Sequence, residues 1–149
     1  MTCNLDILTV ADMQTLGQII GDSRNVLICT HRAPDGDAIG SSLAWAQYLK
    51  KLDKDVNIAV PDMYPDFLQW LPGCNRIFRF DKKPEEVAQL FKNADLLCCL
   101  DFNSSSRTDD MKYLIDSFTE HTGYAHYIST INEQHVRIGI QDNKPAGRI

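Results

Sequence analysis

The sequence lacks the features of a membrane protein or a secreted protein. Its longest wholly apolar run covers only residues 96–100, whereas a membrane helix needs about 20 apolar residues. Residues 1–12 are polar and acidic, without the apolar stretch of a signal peptide. The five cysteines are an odd number without CxxC spacing, which argues against a disulfide framework and against a thiolate zinc site. We therefore expect a soluble, cytoplasmic protein with reduced thiols.

Basic residues are scarce as well. The chain has 15 Lys and Arg against 20 Asp and Glu, for a formal net charge of −5, so no basic field attracts long duplex nucleic acid. A GxGxxG pattern is absent, which disfavours a dinucleotide-binding domain. The negative charge of a phosphorylated ligand must therefore be balanced locally, by an arginine, a helix N-terminus or a bound cation. The 149 residues, 44% hydrophobic and 23% charged, are typical of one globular domain.

Short apolar runs alternate with helical patterns along the chain. The predicted strands are 25–29, 56–60, 76–80 and 96–100, and the predicted helices are 11–20, 39–52, 84–92 and 111–118. Two weaker strand candidates follow at 124–131 and 136–140. This alternation predicts an α/β fold, an open, mainly parallel sheet with helices on both faces. We assign residues 1–120 to the α/β domain and leave 121–149 as an uncertain segment.

Two pairs of residues give simple expectations about packing. Cys98 and Cys99 are neighbours in a predicted strand, so their side chains should point to opposite faces of the sheet. Trp45 and Trp70 lie within apolar helical patterns. We expect both tryptophans in the core rather than at the surface as platforms for a nucleobase.

Metal-type ligands follow two of the predicted strands. His31, Asp35 and Asp37 come directly after the first strand, and Asp101 directly after the fourth. In open α/β sheets, ligands bind beyond the carboxyl ends of the strands. Carboxylates gathered at one point stay ionised at little cost only when a cation lies between them. Nitrogen and oxygen donors without thiolate favour Mn²⁺ or Mg²⁺, with Zn²⁺ or iron as alternatives.

Structural roles for the same carboxylates compete with this interpretation. Asp37 can cap a helix that begins at Ile39, the Asp35-Gly36 pair is common in turns, and Asp101 can be the polar end of a buried strand. Each residue alone is more often structural. The coincidence of three ligands after one strand and a fourth after another favours metal binding.

The same residues carry a resemblance to a known family. Residues 31–42, His-Arg-Ala-Pro-Asp-Gly-Asp-Ala-Ile-Gly-Ser-Ser, resemble the first motif of the DHH phosphoesterases, which include RecJ-type exonucleases and family II pyrophosphatases. Residues 97–101, Leu-Cys-Cys-Leu-Asp, followed by Ser106-Arg107, are similar to the second motif. Residues 67–73, Phe-Leu-Gln-Trp-Leu-Pro-Gly, resemble the nanoRNase and pAp phosphatase branch, also named exopolyphosphatase-related. The likeness covers roughly residues 9–118.

The resemblance implies a two-metal site and roles for individual residues. His31 and Asp35 would hold one ion, Asp37 the second, and Asp101 would bridge the two Mn²⁺ or Mg²⁺ ions, so that Asp37 and Asp101 are the catalytic carboxylates. Hydrolysis of phosphate esters in pAp, short oligonucleotides or a related small compound would follow, and a homodimer is a possible assembly.

Two further residues are candidates for substrate binding. Ser41 lies near a predicted helix N-terminus, where a phosphate can dock, and Arg107 follows Asp101 in a polar loop. For Arg107, a solvent-exposed loop position without a role in substrate binding is an equally good interpretation.

The chain also departs from the family pattern. It contains no Asp-His-His tripeptide, and its other histidines, His121, His126 and His135, lie in different settings. The similarity stops near Glu120, so we expect the chain to be the N-terminal portion of a longer protein. The alternative is a degenerate, non-catalytic module that binds a phosphorylated ligand or regulates another protein.

Overall fold

A computed structural model of the chain describes residues 9–121, 126–132 and 135–140. The helices are α1 (Val10–Asp22), α2 (Gly36–Lys51), α3 (Pro84–Asn93) and α4 (Lys112–His121). The strands are β1 (Asn25–Cys29), β2 (Asp55–Val60), β3 (Phe78–Arg79), β4 (Leu96–Cys99), β5 (His126–Asn132) and β6 (His135–Ile140). Short 3₁₀ turns lie at Asp66–Leu68, Cys74–Arg76 and Ser105–Met111.

The strands form a single sheet in the order β3-β2-β1-β4-β5-β6. All neighbouring pairs are parallel except β5 and β6, which run antiparallel at one edge. Central strand β1 places Cys29 beside Ala59 of β2 and beside Cys99 of β4. The predicted α/β fold, with its open and mainly parallel sheet, is confirmed. Among the described residues, no helix is both long and apolar enough to cross a membrane.

Side chains along the central strands point alternately to the two faces of the sheet, and this divides the core into two apolar clusters. Val26 and Ile28 face α1 and α2 on one side of the sheet, and Leu27 and Cys29 face α3 and α4 on the other. Helices therefore cover both faces, as predicted. Cys98 joins the first cluster and Cys99 the second, which confirms that these neighbours point in opposite directions.

Helix α2 begins three residues before its predicted start. Asp35 is the N-cap, and its Oδ1 accepts a hydrogen bond of 3.0 Å from the Ala38 backbone N–H. Asp37 consequently lies inside the first turn and does not cap a helix at Ile39. The early start places the N-terminus of α2 directly after the loop that carries His31 and Asp35.

The third strand and one tryptophan differ from the prediction. A 3₁₀ turn at Cys74–Arg76 occupies the start of the predicted strand, so β3 has only two residues. Trp45 packs against the α1–α2 side of the core, and its Nε1 donates to Cys98 Sγ at 3.4 Å. Trp70, in contrast, is 77% exposed, because Leu68 takes the buried position in this segment. The expectation of a core position was therefore wrong for Trp70.

Candidate metal centre

The candidate site lies at the carboxyl edge of the sheet, where parallel strands end side by side. The segment after β1 runs through His31 to the N-cap of α2, and the segment after β4 begins at Leu100 and Asp101. Arg32 N–H donates to the Arg107 carbonyl at 2.8 Å, which joins the two segments. Neighbouring strand ends thus bring residues about 70 positions apart in sequence to one place.

His31 is the buried member of the site, with only 8% of its surface exposed. Its Nδ1 lies 2.7 Å from the Arg32 carbonyl oxygen. Because a carbonyl only accepts, Nδ1 must be the donor, and in the neutral ring this leaves the Nε2 lone pair free. That Nε2 lies 3.4 Å from Asp101 Oδ2 and 4.0 Å from Asp35 Oδ1.

His31, Asp35 and Asp101 together offer a nitrogen and two carboxylate oxygens within 4.8 Å of one another. We call these three residues the metal group. Within the described ranges, neither carboxylate forms an ion pair with a lysine or arginine. The donor set can hold a divalent metal ion through carboxylate oxygens and an imidazole nitrogen, without thiolate.

Two buried thiols lie at the ends of β1 and β4, close in sequence to the metal group, but do not belong to it. Cys29 and Cys99 are strand partners, each two residues before a member of the group. Burial raises the pKa of both thiols well above the ordinary value, and each lies in the field of another thiol. Neither thiol is among the side chains that converge at this point, so the donors of the metal group are nitrogen and oxygen.

The other predicted site residues surround the metal group without joining it. Asp37 is exposed in the first turn of α2, outside the three-residue group. Ser41 lies in the second turn, where its hydroxyl donates to the Asp37 carbonyl at 2.7 Å, so it is one turn beyond the helix N-terminus where we expected it. Arg107 lies in the 3₁₀ turn after β4 with an exposed side chain.

Three residues that connect the segments at this edge were not identified from the sequence. Arg32 donates from Nη1 to Asp109 Oδ1 at 2.9 Å, which adds an ion pair to the backbone link between the two segments. Asp62, two residues beyond β2, accepts the Ala33 N–H at 2.6 Å. Asp62 had a usable signal, because it follows a strand end as His31 and Asp101 do; Asp109 had none.

Comparison with known proteins gives two findings. The model for the N-terminal domain of the DHH family matches residues 25–137. Among solved structures, an exopolyphosphatase-related protein from Bacteroides fragilis is similar with a TM-score of 0.69 and 39% sequence identity. That match covers 72% of this chain and 33% of the other, so this chain spans about a third of that protein's length. The family match contains β1, α2 and β4, and with them the whole metal group, and the chain belongs to the DHH family through its N-terminal domain.

Proposed function

We propose that this chain is the metal-binding domain of a phosphoesterase that hydrolyses small phosphorylated substrates with two divalent cations. The observation that carries the proposal is the metal group, His31, Asp35 and Asp101, at the carboxyl edge of the sheet. Family membership and the exopolyphosphatase-related neighbour support the same type of reaction. Short oligonucleotides and pAp are the substrates we favour, as in the nanoRNase branch that the sequence resembles, with Mn²⁺ or Mg²⁺ as the cofactor.

Each residue has a definite task in this proposal. His31 presents Nε2 because its Nδ1 is held by the Arg32 carbonyl, and Asp35 and Asp101 supply negative charge to hold the cations. Asp37, on the adjoining first turn of α2, would add the ligand for a second ion. Bound divalent cations supply Lewis-acid stabilisation of the charge that develops on a phosphate and activate the attacking water. Arg107, in the 3₁₀ turn after β4, would bind a phosphate oxygen.

A net charge of −5 makes the cations necessary for substrate binding as well as for chemistry. The carboxylates of the site would repel a phosphate in the absence of counter-ions. The same charge disfavours a long duplex substrate, since few phosphates can be neutralised at once. The charge of a small substrate with one or two phosphates can be balanced within the site itself.

A titration with Mn²⁺ tests the proposal directly. We expect the chain to bind Mn²⁺ and the Asp101→Asn variant to bind it at least tenfold more weakly, because one carboxylate of the group is lost. Asp53→Asn is the matched control, since Asp53 (φ 58°) and Asp101 (φ 63°) share a left-handed backbone that asparagine tolerates, and Asp53 lies at the opposite end of α2. Equal Mn²⁺ affinity in all three proteins would contradict the proposal.

Hydrolysis of pAp and of a dinucleotide, measured with the full-length protein, tests the substrate class. We expect turnover that requires Mn²⁺ or Mg²⁺ and is lost in Asp37→Asn and Asp101→Asn. The position of Asp37 outside the metal group favours one second candidate, a module that holds a single ion and binds a phosphorylated ligand without turnover. One ion per chain and no hydrolysis would support that candidate, and two ions with hydrolysis would exclude it.

A further inference from the structure

The loop between His31 and Asp35 is held on two sides by successive backbone amides. The Arg32 N–H bonds to the Arg107 carbonyl, in the segment after β4, at 2.8 Å. The Ala33 N–H bonds to Asp62 Oδ1, in the segment after β2, at 2.6 Å. The first bond joins two backbone groups, whereas the second depends on one side chain.

Ala33 has an unusual backbone conformation for its type. Its φ is 45°, in the left-handed region that residues with a Cβ rarely adopt. Such a conformation persists only where surrounding contacts impose it. Ala33 lies two residues after His31 and two before Asp35, so a relaxed φ at this position would change the separation of two members of the metal group.

Asp62 itself is outside the metal group, which contains His31, Asp35 and Asp101. Its contact with the loop spans 29 positions in sequence, so it joins the end of β2 to the metal-binding loop. Leu68, six residues further along the same segment, lies 4.0 Å from the position of a Cβ on Gly36. The segment after β2 therefore approaches this turn at two points, Ala33 and the first residue of α2.

We propose that Asp62 is a positioning residue for the metal site: by accepting the Ala33 N–H it holds the left-handed turn that brings His31 and Asp35 together. The inference rests on the metal site proposed above. The essential property is an acceptor oxygen at the position of Oδ1, and the negative charge of Asp62 is secondary.

Three variants of Asp62 distinguish the effect of the acceptor oxygen's position from the effect of the negative charge. The measurement is a Mn²⁺ titration in which electron paramagnetic resonance detects the free ion. Asp62→Asn keeps an acceptor oxygen at the same place without the charge, and we expect its affinity within about threefold of wild type. Asp62→Glu keeps the charge but moves the carboxylate by one methylene, and Asp62→Ala removes the acceptor. For these two we expect affinity losses of roughly 10- to 100-fold, the range typical of residues that orient metal ligands.

Asp66→Ala is the matched control, because Asp66 lies in the same segment, is exposed, and its Oδ1 accepts from Gln69 Nε2. Unchanged affinity is expected for this control. Wild-type affinity in Asp62→Ala, or tight binding by Asp62→Glu together with weak binding by Asp62→Asn, would overturn the positioning role. If Asp62→Ala does not fold, the Asn and Glu variants still decide between position and charge. Absence of Mn²⁺ binding in the wild type would instead contradict the proposed metal site itself.

Discussion

Most of the non-glycine residues with a positive φ lie at the edge of the sheet that carries the metal group. Among the described residues, the non-glycine members of this class are Ala33, Asp53, Asp101 and Asp109, and three of them lie around the metal group. Each such conformation costs on the order of 1–3 kcal/mol and persists only where the surrounding structure imposes it. Two of these residues have a visible contact with another segment. The Ala33 N–H donates to the Asp62 carboxylate, and the Asp109 carboxylate forms an ion pair with Arg32.

At the same scale, the buried thiols of β1 and β4 are predicted to be unreactive. Burial raises the pKa of Cys98 to about 12, although the Trp45 N–H lowers it somewhat, and it raises the pKa of Cys29 and Cys99 as well. Only the thiolate attacks an alkylating reagent. In the native protein near pH 8 we therefore expect iodoacetamide to leave these three cysteines unmodified, as measured by peptide mass mapping.

The same reaction in denaturant is the control for the reagent. Unfolding removes the burial that raises the pKa, so all three thiols should then be modified. Rapid labelling of Cys29 or Cys99 in the native protein would contradict the packing described here, because it would require an exposed thiolate at the end of β1 or β4.

At the scale of elements, Asp35 is both the N-cap of α2 and a member of the metal group. Its Oδ1 caps the helix through the Ala38 N–H, and the same carboxylate belongs to the metal group. Serine is as good an N-cap as aspartate but lacks the carboxylate, whereas alanine lacks both functions. We expect Asp35→Ser to retain the metal-free stability of wild type and Asp35→Ala to lose about 1 kcal/mol of it. Urea unfolding in the presence of a chelator measures the difference.

Both Asp35 variants should lose Mn²⁺ affinity to a similar extent, because the carboxylate is absent from each. Wild-type affinity in Asp35→Ser would show that Asp35 serves the helix alone. A stability loss in Asp35→Ser as large as in Asp35→Ala would show that the cap contributes little.

The elements also show how much of the structure can be predicted from the sequence. Strand β1 was predicted with its observed ends, because a short β-branched run between polar residues has few alternatives. The start of α2 was misplaced because Asp35 and Asp37 are both good N-caps, and the helix uses the earlier one. His31, Asp35 and Asp101 were predicted as ligands from their positions after strand ends, and the structure brings these three side chains together, whereas Asp37 lies outside the group. The Asp62–Ala33 bond was not, because a contact between residues 29 apart leaves no local pattern.

At the scale of the whole molecule, the metal group joins segments that follow different strands. β1 and β4 are adjacent at the centre of the sheet, so an ion held by His31, Asp35 and Asp101 would link two parts of the chain about 70 residues apart. In the unfolded chain this group does not exist. Mn²⁺ should therefore bind the native state far better than the unfolded state, and it should stabilise the whole domain by mass action.

The expected size of this stabilisation follows from the linkage relation. With free Mn²⁺ at about 100 times its Kd, the free energy of unfolding should rise by about 2.7 kcal/mol. For a domain of this size that gain corresponds to an increase in Tm on the order of 5–10 °C, measurable by calorimetry with and without the ion. Asp53→Asn should show the full increase and Asp101→Asn little of it. An equal increase in both variants would mean that Mn²⁺ binds at another place on this acidic chain, because Asp101 belongs to the metal group and Asp53 does not.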